Sequence, residues 1–176
     1  IPLGSGLGGG SSNAATTLHA LNVIFDLKLS KDKLIKLAST VGSDVPFFIN
    51  NKNAWVEGKG DILTNIYISP CVFIMAFSKH RVSTSEMYDG ISIESNRVSS
   101  SYEDFLNGHI SNTFKSLVLR KYPSIKKMNS ILEKFGPVYL SGSGGTLFIA
   151  ENDISKAKEV FEKIPKKYNV KLITSY

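Results

Sequence analysis

The sequence predicts an α+β protein with two domains. Three observations indicate this: a glycine-rich loop that leads into amphipathic helices, a short apolar run in the middle, and an alternation of strands and helices after it. The chain has 176 residues, of which 42% are apolar and 20% charged. This ordinary composition excludes wholesale disorder. A single cysteine excludes an internal disulfide framework, and no apolar run approaches the roughly 18 residues that a membrane span needs.

The first domain is expected over residues 1–68 and begins with the glycine-rich loop. Five glycines occur within Gly4–Gly10, and the segment after them has apolar residues at spacings of three and four. This period predicts an amphipathic helix. Ser11 or Ser12 would cap it, since a serine side chain accepts a hydrogen bond from the first turn.

Two further helices and a hairpin complete the first domain. Ser30 would cap a second helix that ends at Gly42, because serine favours helix starts and glycine helix ends. Asp44 lies near the start of a third helix, with a proline in its first turn. Two short runs flank the turn residues 58–60 and predict a hairpin.

The second domain is expected over residues 69–176. Residues 71–77 form a wholly apolar run that predicts a buried strand, and helical segments follow, interrupted by the polar and variable loop at 92–101. The remaining predicted elements are strands at 138–141, 146–150 and 170–174 and a helix at 154–164. This order of elements is the split βαβ, ferredoxin-like arrangement.

The glycine-rich loop has the composition of a polyphosphate cradle. Glycines let backbone N–H groups approach a ligand, and the following helix directs its positive dipole end to the same place. Ser11 and Ser12 add hydroxyls for phosphate or a phosphate-bound Mg²⁺.

A Walker A loop is excluded because no Lys follows Gly10. The dinucleotide fingerprint is a weak match, since Asp26 ends a helix rather than a strand. A flexible linker remains the alternative.

Several ordered motifs resemble those of the GHMP kinases. The ATP-binding motif of this family resembles the stretch Pro2-Leu3-Gly4-Ser5-Gly6-Leu7-Gly8-Gly9-Gly10-Ser11-Ser12. The further motifs that resemble the family are Asn13-Ala14-Ala15, Gly42-Ser43-Asp44-Val45-Pro46-Phe47-Phe48, Glu57-Gly58-Lys59-Gly60-Asp61 and Leu140-Ser141-Gly142-Ser143-Gly144-Gly145-Thr146. The resemblance implies the two-domain GHMP kinase fold. Residues 1–68 would be the C-terminal part of a ribosomal-protein-S5-like domain, and 69–176 a ferredoxin-like domain.

The resemblance also implies an activity and a reacting group. It implies ATP- and Mg²⁺-dependent phosphoryl transfer to the 2-hydroxyl of a cytidine-diphosphate-linked methylerythritol, with Pro2–Ser12 on the ATP phosphates. Asp44 would be the general base, although a plain helix cap explains its position equally well. The family pairs this Asp with a Lys near its N-terminus, in a region upstream of Ile1. We therefore expect the chain to be the later part of a longer protein.

The substrate residues implied by the resemblance lie in the second domain. Tyr88 would stack on the cytosine ring, and Thr84 would contact the diphosphate or sugar. The alternatives are a tyrosine at the edge of the core and a helix cap. Gly142, Ser143 and Gly144 would form a tight turn on the substrate side, with a plain hairpin turn as the alternative.

Other functions stay open at this point. The net charge is +6, and residues 115–176 contain 12 basic and 5 acidic residues, which could suit a nucleic-acid-binding module. We favour solvated helix faces, because no aromatic residues interleave with the charges. A non-catalytic nucleotide-binding remnant and a GHMP kinase with another acceptor are the further alternatives.

We expect a small-molecule substrate, no nucleic-acid or membrane partner, no metal held by protein side chains alone, and a location in the bacterial cytoplasm.

Overall fold

A computed structural model describes residues 1–91, 101–106 and 111–175. The predicted variable loop at 92–101 lies almost wholly outside the described residues. The described elements are α1 (Gly9–Ile24), α2 (Lys31–Val41), α3 (Val45–Asn50), β1 (Ala54–Glu57), β2 (Ile62–Asn65), β3 (Val72–Phe77), α4 (Thr84–Asp89), α5 (Tyr102–Leu106), α6 (Lys115–Lys121), α7 (Pro123–Leu132), β4 (Tyr139–Leu140), β5 (Thr146–Glu151), α8 (Ile154–Lys163) and β6 (Asn169–Thr174). The α+β class is confirmed.

The chain divides into two compact units. The first, which we call the helical unit, is Gly8–Ser69. The second, which we call the sheet unit, combines Ile1–Leu7 with Pro70–Tyr176. Among the described residues, no helix is long and apolar enough to cross a membrane.

The helical unit packs α1, α2 and α3 together beside a hairpin. Its buried apolar residues are Ala15, Leu34, Ala38, Val45 and Ile49. Ser30 caps α2 as predicted, since its side chain accepts a hydrogen bond from the N–H of Lys33. The predicted hairpin is also confirmed: β1 and β2 pair antiparallel, with Ala54 opposite Asn65.

One prediction for the helical unit is wrong. Neither Ser11 nor Ser12 caps α1, because the helix already begins at Gly9 and Gly8 occupies the cap position with a left-handed backbone. The apolar stripes are also wider than the buried core: Leu21 and Phe25 in and after α1, and Leu37 and Val41 in α2, are exposed. Periodicity gives the apolar face of a helix but does not say how much of that face is covered.

The sheet unit has a four-stranded antiparallel sheet in the order β4-β5-β3-β6. β3 lies in the centre and pairs with β5 and β6, with Ile74 opposite Ile149 and Leu172. The chain order strand, helices, strand, strand, helix, strand with this pairing is the predicted split βαβ arrangement. The core lies between this sheet and helices that include α7 and α8, around Ile74, Leu132 and Leu147.

Candidate nucleotide and substrate site

The glycine loop alternates glycines in left-handed conformations. Gly4, Gly6 and Gly8 have φ values of 69°, 78° and 63°. Side chains disfavour this region, so glycine is required at every second position for a conformational reason. The result is an irregular backbone that leads directly into α1.

Within the sheet unit, the start of this loop packs closely against the turn between β4 and β5. The Ser141 hydroxyl donates a hydrogen bond to the carbonyl oxygen of Gly6 at 2.9 Å. The N–H of Gly145 donates to the carbonyl of Gly4 at 3.1 Å. A Cβ added to Gly6 would overlap the carbonyl oxygen of Ser141. Two motifs that are 135 positions apart in the chain are therefore in backbone contact.

The glycines of the β4–β5 turn are required by the same contact. Gly142 has φ 53°, and a Cβ on it would lie 2.8 Å from the carbonyl oxygen of Gly6. A Cβ on Gly144 would overlap the amide nitrogen of Gly6. The turn does join two strands as a hairpin, but its glycines also allow the glycine loop to approach. A plain hairpin turn therefore does not explain its composition.

Asn112 holds this turn, and sequence reasoning missed it. Its side-chain nitrogen donates hydrogen bonds to the carbonyls of Leu140 at 2.9 Å and Gly142 at 2.8 Å. Its side-chain oxygen accepts from the N–H of Phe114 at 2.8 Å. No periodicity or motif marks an isolated asparagine in a polar stretch, so only the structure reveals this positioning role.

Within the helical unit, the start of α1 has free hydrogen-bond donors. The N–H of Ser12 donates to the carbonyl of Gly8 at 2.8 Å, which closes the first helical turn. No side chain caps the helix, so the N–H groups of residues 9–11 point beyond its end. A helix of 16 residues also brings the positive end of its dipole to this place. This geometry suits an anionic ligand.

The start of α1 lies against the helix that carries Asp44. A Cβ added to Gly8 would lie 2.8 Å from the ring of Phe48, which belongs to α3. Asp44 occupies the N-cap position of α3, but its side chain makes no capping hydrogen bond. The carboxylate is on an exposed residue. The plain cap interpretation is therefore not supported, and the carboxylate is available for another partner.

The β1–β2 hairpin fixes the backbone next to Asp44. Gly60, with φ 92°, approaches so closely that a Cβ on it would overlap the carbonyl oxygen of Ser43. Lys31 ties the far end of α3: its ammonium donates to the backbone and side-chain oxygens of Asn50 at 2.9 Å and 2.8 Å. Asn50 in turn donates to the side chain of Asn65 at 2.9 Å. α3 is thus held at both ends.

The predicted substrate residues Thr84 and Tyr88 lie on α4 in the sheet unit. Ser83 caps this helix, so the cap interpretation of Thr84 is wrong. The Thr84 hydroxyl instead accepts a hydrogen bond from Ser143 at 3.0 Å, which joins two predicted site residues. Tyr88 is 62% exposed, and its ring forms a T-shaped contact with the ring of Phe114, with the centroids 4.9 Å apart. The exposed part of the side chain is accessible to a stacking partner.

An exposed ion pair connects α4 to α6. Lys121 donates a hydrogen bond to Glu86 at 2.7 Å. This hydrogen bond and the lysine charge lower the pKa of Glu86, and the same hydrogen bond raises the pKa of Lys121. Over the described part of the chain, no group of three or more His, Cys, Asp or Glu side chains could hold a metal ion.

The chain belongs to the GHMP kinase family. The family model for the GHMP kinases N terminal domain matches residues 1–52, and the model for the GHMP kinases C terminal matches residues 102–170. Together they include the glycine loop, Asp44 and the β4–β5 turn. The two-domain resemblance inferred from the motifs is confirmed.

Individual relatives indicate which members of this family the chain resembles. The chain is 34% identical to the 4-diphosphocytidyl-2-C-methyl-D-erythritol kinase of Buchnera aphidicola subsp. Schizaphis graminum, over 94% of this chain and 56% of the relative. It is 35% identical to the enzyme of the same name from Pasteurella multocida, over 96% of this chain and 57% of the relative. The chain thus spans somewhat more than half the length of these curated relatives.

A solved structure supports the same similarity. The chain superimposes on the crystal structure of a 4-(cytidine 5'-diphospho)-2C-methyl-D-erythritol kinase with a TM-score of 0.79 and 28% sequence identity. The superposition covers 99% of this chain and 67% of the other.

Proposed function

We propose that the chain is part of an ATP-dependent kinase that phosphorylates the 2-hydroxyl of 4-diphosphocytidyl-2-C-methyl-D-erythritol, a step of the non-mevalonate isoprenoid pathway. The observation that carries this proposal is the glycine loop: alternate left-handed glycines lead into the uncapped N-terminus of a 16-residue helix. The names of the relatives support the choice of acceptor.

The glycine loop would hold the phosphates of ATP. Phosphoryl transfer depends on positioning and on neutralising charge, which backbone N–H groups and a helix dipole supply. The carbonyls of Gly4 and Gly6 are already engaged by Gly145 and Ser141. Their hydrogen bonds fix the loop backbone, so its approach to a phosphate does not depend on ordering a flexible segment.

Mg²⁺ would enter with the ATP. Magnesium prefers oxygen ligands and is commonly held by one or two protein oxygens together with substrate phosphates. The hydroxyls of Ser11 and Ser12, in the first turn of α1, have suitable chemistry for this. Bound Mg²⁺ would neutralise charge that develops on the transferred phosphoryl group.

Asp44 would accept the proton of the acceptor hydroxyl. A general base must be unengaged and within hydrogen-bond reach of that proton. The carboxylate of Asp44 is exposed and makes no capping bond. The close approach of Gly60 restrains the backbone beside it, and Lys31 holds the other end of α3. Tyr88 would stack on the cytosine and Thr84 would contact the diphosphate or sugar, with residues 142–144 as the turn beside them.

The proposal includes the domain assignment and the location. Residues 1–68 would be the C-terminal part of the ATP-binding domain, and 69–176 the ferredoxin-like domain. A bacterial cytoplasm fits an ATP-dependent enzyme of a small-molecule pathway whose relatives come from bacteria. A non-catalytic nucleotide-binding member of the family is the second candidate, because the uncapped N-terminus of α1 suits phosphate binding whether or not a transfer follows.

Phosphoryl transfer to defined acceptors tests the proposal. The native protein is incubated with Mg-ATP and 4-diphosphocytidyl-2-C-methyl-D-erythritol, and ³¹P NMR follows the appearance of a new phosphomonoester. Mevalonate, homoserine and galactose serve as alternative acceptors. The proposal predicts transfer to the cytidine-linked acceptor alone.

The other possible outcomes distinguish between the candidate functions. Transfer to one of the alternative acceptors would assign a different GHMP kinase activity. ATP binding with no transfer to any acceptor would favour the non-catalytic member. Absence of ATP binding would contradict both.

A further inference from the structure

A cavity in the sheet unit, apart from the candidate site, is lined by several basic residues. Its volume is about 330 Å³, at the lower end of the range of ligand sites. It lies where the end of β3, the start of α7 and the segment between α8 and β6 come together. None of the glycine-loop residues 2–12 lines it, and none of the β4–β5 turn residues 141–145 does.

Three lysines from three separate segments line this basic cavity. Lys79 follows β3, Lys127 lies in α7 and Lys167 precedes β6. None of the three forms an ion pair among the described residues, and no Asp or Glu lines the cavity. Lysines placed together without counter-charges repel one another, so an anion in the cavity would relieve this repulsion.

The inner wall of the cavity is apolar and aromatic. Phe77 and Met128 are buried, with exposed fractions of 7% and 4%, and Tyr168 is half-buried beside them. The ammonium of Lys167 lies 5.5 Å from the centre of the Tyr168 ring. Phe77 and Met128 are already largely covered, so the apolar surface still open to a ligand includes the half-buried ring of Tyr168. Inorganic phosphate alone would leave this surface in contact with water, whereas a phosphate ester with an apolar or aromatic group would cover it.

We propose that the basic cavity is a binding site for a small organic phosphate. Its phosphate meets Lys79, Lys127 and Lys167, and its apolar group lies against Phe77, Met128 and Tyr168. The site contains none of the proposed ATP-loop residues, although Phe77, Ser78 and His80 also line the space beside Pro2–Ser5. The proposal does not rest on the proposed catalytic function. A cavity of this volume suits a small molecule rather than a nucleic-acid backbone, which would track an open groove.

Two pairs of neighbouring lysines provide a matched test. The double variant K127Q/K167Q removes two cavity lysines, and K126Q/K166Q removes their chain neighbours, which do not line the cavity. Both variants lower the net charge by the same amount, so non-specific attraction falls equally. Isothermal titration with phenyl phosphate, inorganic phosphate and phenol measures binding to each protein, and thermal unfolding confirms that both variants are folded.

The expected result has three parts. Phenyl phosphate binds the unmodified chain more tightly than either inorganic phosphate or phenol. Its dissociation constant rises at least about tenfold in K127Q/K167Q, because charge-assisted hydrogen bonds are lost, and changes less than about twofold in K126Q/K166Q. A single-stranded oligonucleotide competes no better than inorganic phosphate at equal phosphate concentration.

Several results would overturn the proposal. Equal weakening in the two double variants would mean that general charge, and not the cavity, attracts the ligand. Unchanged affinity in K127Q/K167Q would place phenyl phosphate elsewhere, for example at the glycine loop. Phosphate binding as tight as phenyl phosphate would remove the role of the apolar wall, and preferential binding of the oligonucleotide would assign this surface to nucleic acid.

Discussion

The helical unit and the sheet unit differ in how completely they bury their apolar residues. Among the described residues, the core of the sheet unit contains sixteen buried apolar side chains around a four-stranded sheet. The core of the helical unit contains five, and Val23, Ile24 and Phe25 remain 77%, 73% and 66% exposed at the end of α1. Burial of apolar area is the main stabilising term in folding, so we expect the sheet unit to be the more stable.

This difference indicates that the residues of the candidate site can be held in position without a large hydrophobic core beside them. The free end of α1 and Asp44 belong to the helical unit, where the ring of Phe48 packs on Gly8 and the backbone of Ser43 lies against Gly60. The β4–β5 turn and α4 belong to the sheet unit, where Asn112 and Ser143 provide side-chain hydrogen bonds. Glycines and amide side chains define the geometry in both units.

The largest effect is expected from Asp44→Asn in the helical unit. The amide has nearly the same shape but cannot accept the acceptor proton, so turnover should fall by about 10²–10⁴-fold. Binding of ATP should stay within about twofold of the unmodified value, since Asp44 makes no contact that holds the loop. Steady-state kinetics and equilibrium titration on the native protein measure the two quantities.

Asp32→Asn is the matched control for Asp44. Asp32 is an exposed carboxylate in the first turn of α2, in the same unit. It should leave turnover unchanged. Unchanged turnover in Asp44→Asn would remove Asp44 as the base, and loss of turnover in both variants would indicate a general charge effect.

Truncation of one leucine in each core sharpens the comparison of stabilities. Leu132 in the sheet unit is 1% exposed, and Leu34 in the helical unit is 3% exposed. Leu132→Ala should cost about 2–5 kcal/mol of unfolding free energy, whereas Leu34→Ala should cost less because the smaller core relaxes around the gap. Urea denaturation followed by fluorescence and circular dichroism gives both values. A larger loss for Leu34→Ala would contradict the ranking of the two units.

Tyr88→Ala should weaken the cytidine-linked acceptor selectively. Loss of a stacked ring costs about 1–3 kcal/mol per base, which is roughly 5- to 150-fold in affinity. ATP affinity should not change, and Tyr88→Phe should retain acceptor binding because it keeps the ring. Competition titrations with both ligands provide the measurement. Equal losses for ATP and acceptor would exclude the stacking role.

The smallest expected effect concerns the Glu86–Lys121 ion pair on the surface of the sheet unit. The pKa of Glu86 is lowered in the folded protein, so its contribution is present above the pKa of the unfolded chain and is lost as the pH falls through the folded pKa. Glu86→Gln should therefore lower the unfolding temperature slightly at pH 7, and this difference should shrink as the pH falls through the folded pKa of Glu86. Thermal unfolding over a series of acidic pH values tests this. A difference that persists in acid would show that the ion pair is not its cause.

Much of the fold could be predicted because the relevant signals are local. The apolar run at 71–77, the cap at Ser30 and the hairpin around residues 58–60 each depend on neighbouring residues, and the structure confirms all three. The predicted serine cap of α1 is wrong because the helix begins directly after Gly8, which has a left-handed backbone, and therefore before either serine. Local propensity does not distinguish Gly8 from the serines that follow it.

The candidate site could be predicted in composition but not in its contacts. The glycines at positions 4, 6 and 8 are visible as a motif, yet their contacts with Ser141 and Phe48 join distant parts of the chain. Asn112 belongs to no motif, and the hydrogen bond between Thr84 and Ser143 joins residues 59 positions apart. Long-range backbone contacts leave little trace in one sequence.

Equilibrium binding of ATP to Gly6→Ala and Gly42→Ala tests the central claim most directly. A Cβ on Gly6 would meet the backbone of Ser141 at a left-handed position, whereas Gly42 lies outside the loop, has an extended backbone with φ 177°, and a Cβ on it would lie 3.4 Å from Val45. The account predicts that Gly6→Ala weakens ATP by at least about tenfold, a cost of about 1.4 kcal/mol, while Gly42→Ala stays within about twofold. Thermal unfolding of both variants verifies that each is folded. Equal ATP affinities in the two folded variants would contradict the claim that the shaped glycine loop holds the nucleotide.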